Sequence, residues 1–294
     1  MAGASGRTGS KIMQGLLSDP SLELVGALGR SSAGKDIGEI IGGSPRGIRV
    51  EQDLDALLTR TRPAVLVDFT LPGAAAENVP VAIRQGVAAV VGTTGISETA
   101  QGEWDRLARK EGVGVLLAPN FALGAVLMMQ FAREAARFYS RVEIVEAHHP
   151  GKLDAPSGTA RRTAVLIKEG SEAASTSSET GIEAGAGISP GAKGVSRKPE
   201  GVRSPGVDGD AASRAGAMGQ TADVAGGIPI HSIRLPGIVA QHQVIFGADG
   251  ETLALVHQSI DRSSFVPGVL LAVHRVGDLR GLVIGLENII LSPM

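Results

Sequence analysis

The stretch Ala64–Phe121, AVLVDFTLPGAAAENVPVAIRQGVAAVVGTTGISETAQGEWDRLARKEGVGVLLAPNF, decides the fold. Three short apolar runs recur in it: AVLVDF (Ala64 to Phe69), VAAVV (Val87 to Val91) and VGVLLA (Val113 to Ala118). Val and Leu dominate them without polar alternation, the pattern of strands buried on both faces of a parallel sheet. Between them the spacing predicts crossover helices over 74–85 and 98–110. Upstream, 10–17 reads as a helix and LVGAL (Leu24 to Leu28) as another strand. Strands and helices alternating in this way predict an α/β fold with an N-terminal Rossmann-like, doubly wound parallel sheet.

The ends of these strands carry loops of ligand-binding type. Asp68-Phe69-Thr70, Gly92-Thr93-Thr94-Gly95 and Ala118-Pro119-Asn120-Phe121 all sit at C-terminal strand ends, the edge where such folds hold ligands. The N-terminal GASGRTG places Gly3, Gly6 and Gly9 where backbone N–H groups can approach a pyrophosphate. Only Met1 and Ala2 precede Gly3, although the fold needs a full first strand there. Either the start lies upstream, or the sheet has a central gap and binds cofactor weakly. The second strand ends in Gly29 and Arg30 rather than the acidic residue that binds the ribose hydroxyls of NADH. Arg30 can pair with a 2′-phosphate, with Ser31 and Ser32 as hydroxyl donors, which favours NADPH. The plainer alternative is a solvated loop arginine.

The second half reads differently. Leu123, Val126, Leu127, Phe131, Ala135 and Phe138 recur at helical spacing. Strands follow over 142–147, 231–235, 241–247 and 252–259, with Asp249-Gly250 as a hairpin turn. This predicts an α+β substrate and oligomerisation domain over 122–263, built on a mixed four-stranded sheet. A helical region over 267–291 would return, so that 264–294 completes the first domain, 1–121. The segment 170–227, rich in Gly, Ala, Ser and charge, reads as a disordered insertion.

Chemistry concentrates in EAHHPGKLDAPSGTA, Glu146 to Ala160. His148, His149, Lys152 and Asp154 stand just before a helix-like run, ARRTAVLIKEG. A helix N-terminus offers free N–H groups and a positive dipole end, so it binds anions. Ser157 and Thr159 suit capping positions, and the N–H groups of Gly158 and Thr159 could hold a carboxylate. The set suits a small acidic substrate that is protonated as it reacts. His148 and His149 are adjacent on a strand end and should face opposite ways, so no metal site is expected. His231, His242, His257 and His274 lack such neighbours and read as structural. A Ser-His-Asp hydrolase is disfavoured, because no Gly-x-Ser-x-Gly surrounds Ser157.

Composition excludes other classes. The net charge of the 294 residues is −2 and only 3% are aromatic, which argues against nucleic-acid binding. There is no cysteine, so no disulfide or thiolate chemistry exists. No apolar run reaches the roughly 18 residues of a membrane span, and no signal peptide is seen. A cytoplasmic protein is expected, or a plastid one if an N-terminal extension is missing.

At HHPGKLDAPSGTA the chain resembles the 4-hydroxy-tetrahydrodipicolinate reductase family, formerly dihydrodipicolinate reductase. GASGRTG, VDFT, GTTG and APNF fall in the family's order, and HSIRLPG and DRSSFVPGVLL resemble its C-terminal half. The resemblance implies NAD(P)H-dependent reduction of a cyclic dicarboxylate in diaminopimelate and lysine biosynthesis. It implies His148 and Lys152 as catalytic proton carriers. His149, Ser157, Gly158 and Thr159 would bind substrate. Gly3, Ala4, Ser5, Gly6, Arg7, Thr8 and Arg30 would meet the cofactor. So would Phe69, Thr70, Gly92, Thr93, Thr94, Ala118, Pro119, Asn120 and Phe121. NADPH is the expected cofactor, NADH the second option, and a homotetramer the expected assembly. Pro150-Gly151 departs from the polar residues frequent in the family. A non-catalytic binding relative, or another two-domain dehydrogenase, is the alternative.

Overall fold

The computed structural model describes residues 1–178, 220–224 and 227–290. The first half contains α1 (Gly9–Ser18), β1 (Ala27–Leu28), α2 (Ile37–Ile40), β2 (Val50–Glu51), α3 (Leu54–Thr61) and β3 (Val65–Asp68). It continues with α4 (Pro72–Arg84), β4 (Ala88–Val91), α5 (Glu98–Glu111) and β5 (Gly114–Leu117). The second half holds α6 (Leu123–Ala135), β6 (Arg141–His148), α7 (Gly158–Ser178), β7 (Gln220–Val224), β8 (Ile228–Arg234), β9 (Ala240–Ala248) and β10 (Glu251–Ser259). It closes with α8 (Val266–Arg275), β11 (Gly281–Ile284) and α9 (Glu287–Ile290).

The expected central gap is not found at the ligand edge of the first sheet. Met1 to Gly3 occupy it as a short strand. Ala2 N donates to Val67 O (2.8 Å) and Phe69 N to Ala2 O (3.1 Å) on one side. Leu28 N donates to Met1 O (2.9 Å) and Gly3 N to Leu28 O (3.0 Å) on the other. The order is therefore β2, β1, residues 1–3, β3, β4, β5, β11, and every pairing is parallel. At the opposite end of this position lies a cavity of about 450 Å³ lined by Leu16, Leu24, Leu57 and Val65 among others. It explains why the strand expected from Leu24 shortens to Ala27–Leu28: its earlier residues meet no neighbouring backbone there.

The region expected to be helical over 267–291 is corrected. The chain leaves α8, and residues 281–284 join β5 as the parallel edge strand β11. The run is apolar and ends in the β-branched Val283 and Ile284, which suits that edge. The second sheet has the order β10, β9, β6, β8, β7, mixed through the parallel pair of β6 and β8. It carries one strand more than the four expected, because β7 adds to β8. β7 and the end of α7 are regular structure inside 170–227, a correction to the predicted insertion; the rest of that segment lies outside the described residues. In α6 the buried stripe is Ala125, Val126, Met128, Met129 and Ala132. Phe131 and Phe138, expected on that stripe, are exposed. α6 and α7 meet so closely that a Cβ at Gly170 would fall 2.1 Å from Arg133 O.

Candidate active site

One buried carboxylate organises the loops at the edge of the first sheet. Asp68 Oδ1 accepts from Thr70 N (2.9 Å), Thr70 Oγ1 (2.6 Å) and Thr93 Oγ1 (3.2 Å), and Oδ2 accepts from Asn78 Nδ2 (2.8 Å). The Phe69 ring covers Gly92, where a Cβ would sit 2.1 Å from Cε1, and tilts against Phe121 at 5.5 Å. Gly3 has φ +79°, and its Cβ would fall 2.6 Å from Phe69 O. A Cβ at Gly9 would lie 2.0 Å from Gly3 O. Only glycine therefore permits this turn to close over the start of α1, and no side chain caps that helix. Ala4 and Ala118 are buried and Gly3, Phe69 and Gly92 half-buried beneath these loops, while Gly6 is exposed. Arg7, Thr8, Thr94, Pro119 and Asn120 line a cavity of about 870 Å³.

Ser5 lies apart, beside Ser31, Ser32, Lys35 and Glu39 around a smaller cavity of about 360 Å³. The Ser32 hydroxyl is buried and makes no hydrogen bond. Gly29 adjoins it, its Cβ position 3.2 Å from Ser32 Oγ. Arg30 is exposed, 3.9 Å from Glu77. An orphaned hydroxyl, the Lys35 cation and a neighbouring glycine fit one end of a dinucleotide.

The large cavity is closed by the second half of the chain. His148, His149, Lys152, Ser157, Gly158 and Thr159 all line it. Ser157 caps α7, its Oγ accepting from Ala160 N (3.2 Å). Gly158 and Thr159, the first residues of this 21-residue helix, line the cavity, and the first N–H groups of a helix have no partner within it. Asn120 Nδ2 donates to Thr159 Oγ1 (3.1 Å), tying the two halves together at the site. Lys152 Nζ reaches both oxygens of Asp154 (2.8 and 2.9 Å).

His148 and His149 were expected to face opposite ways; both line the same cavity. β6 ends at His148, so His149 already belongs to the turn and escapes strand alternation. The pKa of His149 is pushed below its ordinary value, first by burial and then by Arg262, Arg7, His148 and Lys152. Arg7, Lys152, Arg161 and Arg262 outnumber Asp154 and Asp261 in the cavity lining, although the chain carries −2 overall.

Sequence reading missed the layer beneath. Glu146 is fully buried, with its Oε2 bonded to His148 Nδ1. Its Oε1 accepts from Arg234 Nη2 (2.9 Å). Burial alone would raise its pKa; the bonds from His148 and Arg234 hold it at about 2 instead. Arg234 also donates to Asp154 O (2.6 Å) and Lys152 O (3.3 Å), so it clamps the Lys152 loop to β6. His242 and His257, read as structural, line the cavity. His242 is buried with Nε2 unpaired, and burial lowers its pKa to about 4. His231 and His274 do stand apart, paired with Glu143 (2.8 Å) and Asp19 (3.0 Å). Strand alternation was the available signal for Glu146, since it lies two residues before His148. Nothing in sequence paired it with Arg234.

The comparisons agree along the full length. Residues 1–121 match the family model described as dihydrodipicolinate reductase, N-terminus, and residues 124–290 match its C-terminus. A 4-hydroxy-tetrahydrodipicolinate reductase of Moorella thermoacetica is 41% identical over 290 residues, covering 99% of this chain and 96% of the relative. One from Synechococcus elongatus is 41% identical over 294 residues, covering 98% and 96%. The dipicolinate-bound dihydrodipicolinate reductase from Paenisporosarcina sp. TG-14 superposes with a TM-score of 0.72 at 34% identity, covering 98% and 97%. The chain belongs to the dihydrodipicolinate reductase family and is an oxidoreductase that performs the NAD(P)H-dependent reduction for which that family is named.

Proposed function

We propose that the family reaction, conversion of 4-hydroxy-tetrahydrodipicolinate to tetrahydrodipicolinate, takes place in the 870 Å³ cavity with His148 and Lys152 as proton carriers. The observation that carries this reading is the meeting of Arg7 and Thr8 with His148, Lys152 and Gly158 around one space. A reduced nicotinamide supplies hydride when bound. Substrate and product differ by the ring hydroxyl, so hydride and one proton enter and water leaves. This chain must then fix two carboxylates and deliver a proton. The N–H groups of Gly158 and Thr159 suit one carboxylate, with the Ser157 cap holding the turn in place. His149 and Lys152 border the rest of the ring site. Asp154 holds the Lys152 side chain through both of its oxygens until an anionic substrate competes for it. A cyclic dicarboxylate bound to the Paenisporosarcina relative supports the substrate class.

NADPH is the proposed cofactor, with NADH as the second option. Gly29 offers no carboxylate to the ribose hydroxyls, while Arg30, Ser31 and Ser32 present donors to a 2′-phosphate. The cofactor would lie along Gly3 to Thr8 and the three loop segments 69–70, 92–94 and 118–121. The proposed domains are 1–121 with 264–294, and 122–263. A homotetramer through the second sheet is proposed, since Ile233 and Val256 are exposed on it. Among the described residues no helix is long and apolar enough to cross a membrane, and a cytoplasmic setting fits this pathway. The non-catalytic reading rested on a missing first strand, and the pairing of Met1 to Gly3 removes its motive.

His148→Ala and Lys152→Ala should each lower kcat by about 10²–10⁴-fold, the usual share of acid–base catalysis. NADPH binding by calorimetry should stay unchanged. Wild-type turnover in both variants would overturn the assignment. Arg30→Ala should raise the KM for NADPH by about tenfold or more and leave that for NADH unaltered, since one charge-assisted phosphate contact is worth about 1.5–3 kcal/mol. Equal effects on both cofactors would show that Arg30 does not read the 2′-phosphate.

A further inference from the structure

A buried carboxylate rarely survives beneath a cavity unless its charge is used. Glu146 is fully buried, lies on β6 two residues before His148, and shares its sheet face. Cross-strand register sets Ser232 of β8, Glu146, His242 of β9 and His257 of β10 in one row. One step nearer the cavity the same register sets Arg234 beside His148. The two oxygens of Glu146 are divided: Oε2 meets His148 Nδ1, and Oε1 takes the Arg234 guanidinium at 2.9 Å. With both oxygens engaged, Glu146 has nothing left to offer the cavity and does not itself line it.

We propose that Glu146 is a positioning residue, whose carboxylate fixes His148 with the proton on Nδ1 directed inward and Nε2 presented to the substrate. A carboxylate is an acceptor only, so it selects the imidazole tautomer that donates from Nδ1. The ring is thereby held in orientation, and the positive charge it gains on taking a proton is balanced from below. The titratable and charged groups facing His148 are Glu146 on its own strand, Arg234 on β8, His242 on β9, and His149, Lys152 and Asp154 in the following turn. Arg234 serves the same arrangement. It neutralises the far oxygen of Glu146 and donates to the carbonyls of Lys152 and Asp154, so that both proton carriers are referred to one anchor.

This inference rests on His148 being the proton carrier proposed above. The first test uses the wild-type protein. Nitrogen-15 spectra well above neutral pH, with His148 assigned by its loss in His148→Gln, should show the proton on Nδ1. A proton on Nε2 would overturn the inference. The second test is Glu146→Gln, which keeps shape and removes charge. It should lower kcat by about 10²-fold, the scale of a misaligned catalytic group, with KM nearly constant and NADPH affinity unchanged. A folded Glu146→Gln enzyme with wild-type kcat and tautomer would overturn it. If His148→Ala alone abolishes turnover while Glu146→Gln does not, the role of Glu146 fails and that of His148 stands. If neither matters, the reading of the site itself has failed.

Discussion

The structure depends on three residues of backbone. Met1 to Gly3 pair with β1 on one side and β3 on the other, and they turn two short ribbons into one continuous parallel sheet. Without that wedge the glycine turn would have no fixed height relative to the loops after β3, β4 and β5. With it, Gly3 lies against Phe69 O so tightly that no side chain fits. Asp68 then carries the register sideways, because its two oxygens hold Thr70, Thr93 and Asn78 at once. The crevice is thus shaped by backbone contacts and by one buried side chain that ties three residues together.

The fold was largely legible because its signal is local. Short, Val-rich apolar runs such as AVLVDF and VAAVV have the length and composition of strands buried on both faces, and their spacing leaves room for one helix each. Legibility failed where an element was too short for a pattern. Two residues before Gly3 do not look like a strand, yet four hydrogen bonds make them one. GLVI at 281–284 follows a helix and looks like its continuation, and only the free edge of β5 makes it a strand.

The site divides in the same way. His148, Lys152 and the Ser157 cap crowd into a dozen residues, so their chemistry could be read from spacing alone. Glu146 was visible only as the residue before an alanine, although period two put it on the face of His148. Arg234, His242 and His257 come from strands about 80 to 110 residues away, and register between strands is a property of the folded sheet rather than of any sequence window. The same limit hid the role of Asn120, whose bond to Thr159 spans 39 residues.

The charges of the cavity form a graded series, and that grading follows from burial. Deepest is Glu146, an anion kept ionised by Arg234 and His148. Above it stands His148, held but accessible. At the mouth, Lys152 is held by both oxygens of Asp154, which is itself about half exposed and thus a replaceable partner. A substrate carboxylate entering here meets open helix N–H groups and a lysine whose counter-ion can be displaced into water at little cost. The deep anion cannot be displaced, because removing either partner would leave a bare charge in a dry interior. The exchangeable pair therefore suits substrate capture, and the fixed pair suits keeping the proton carrier in place throughout each turnover.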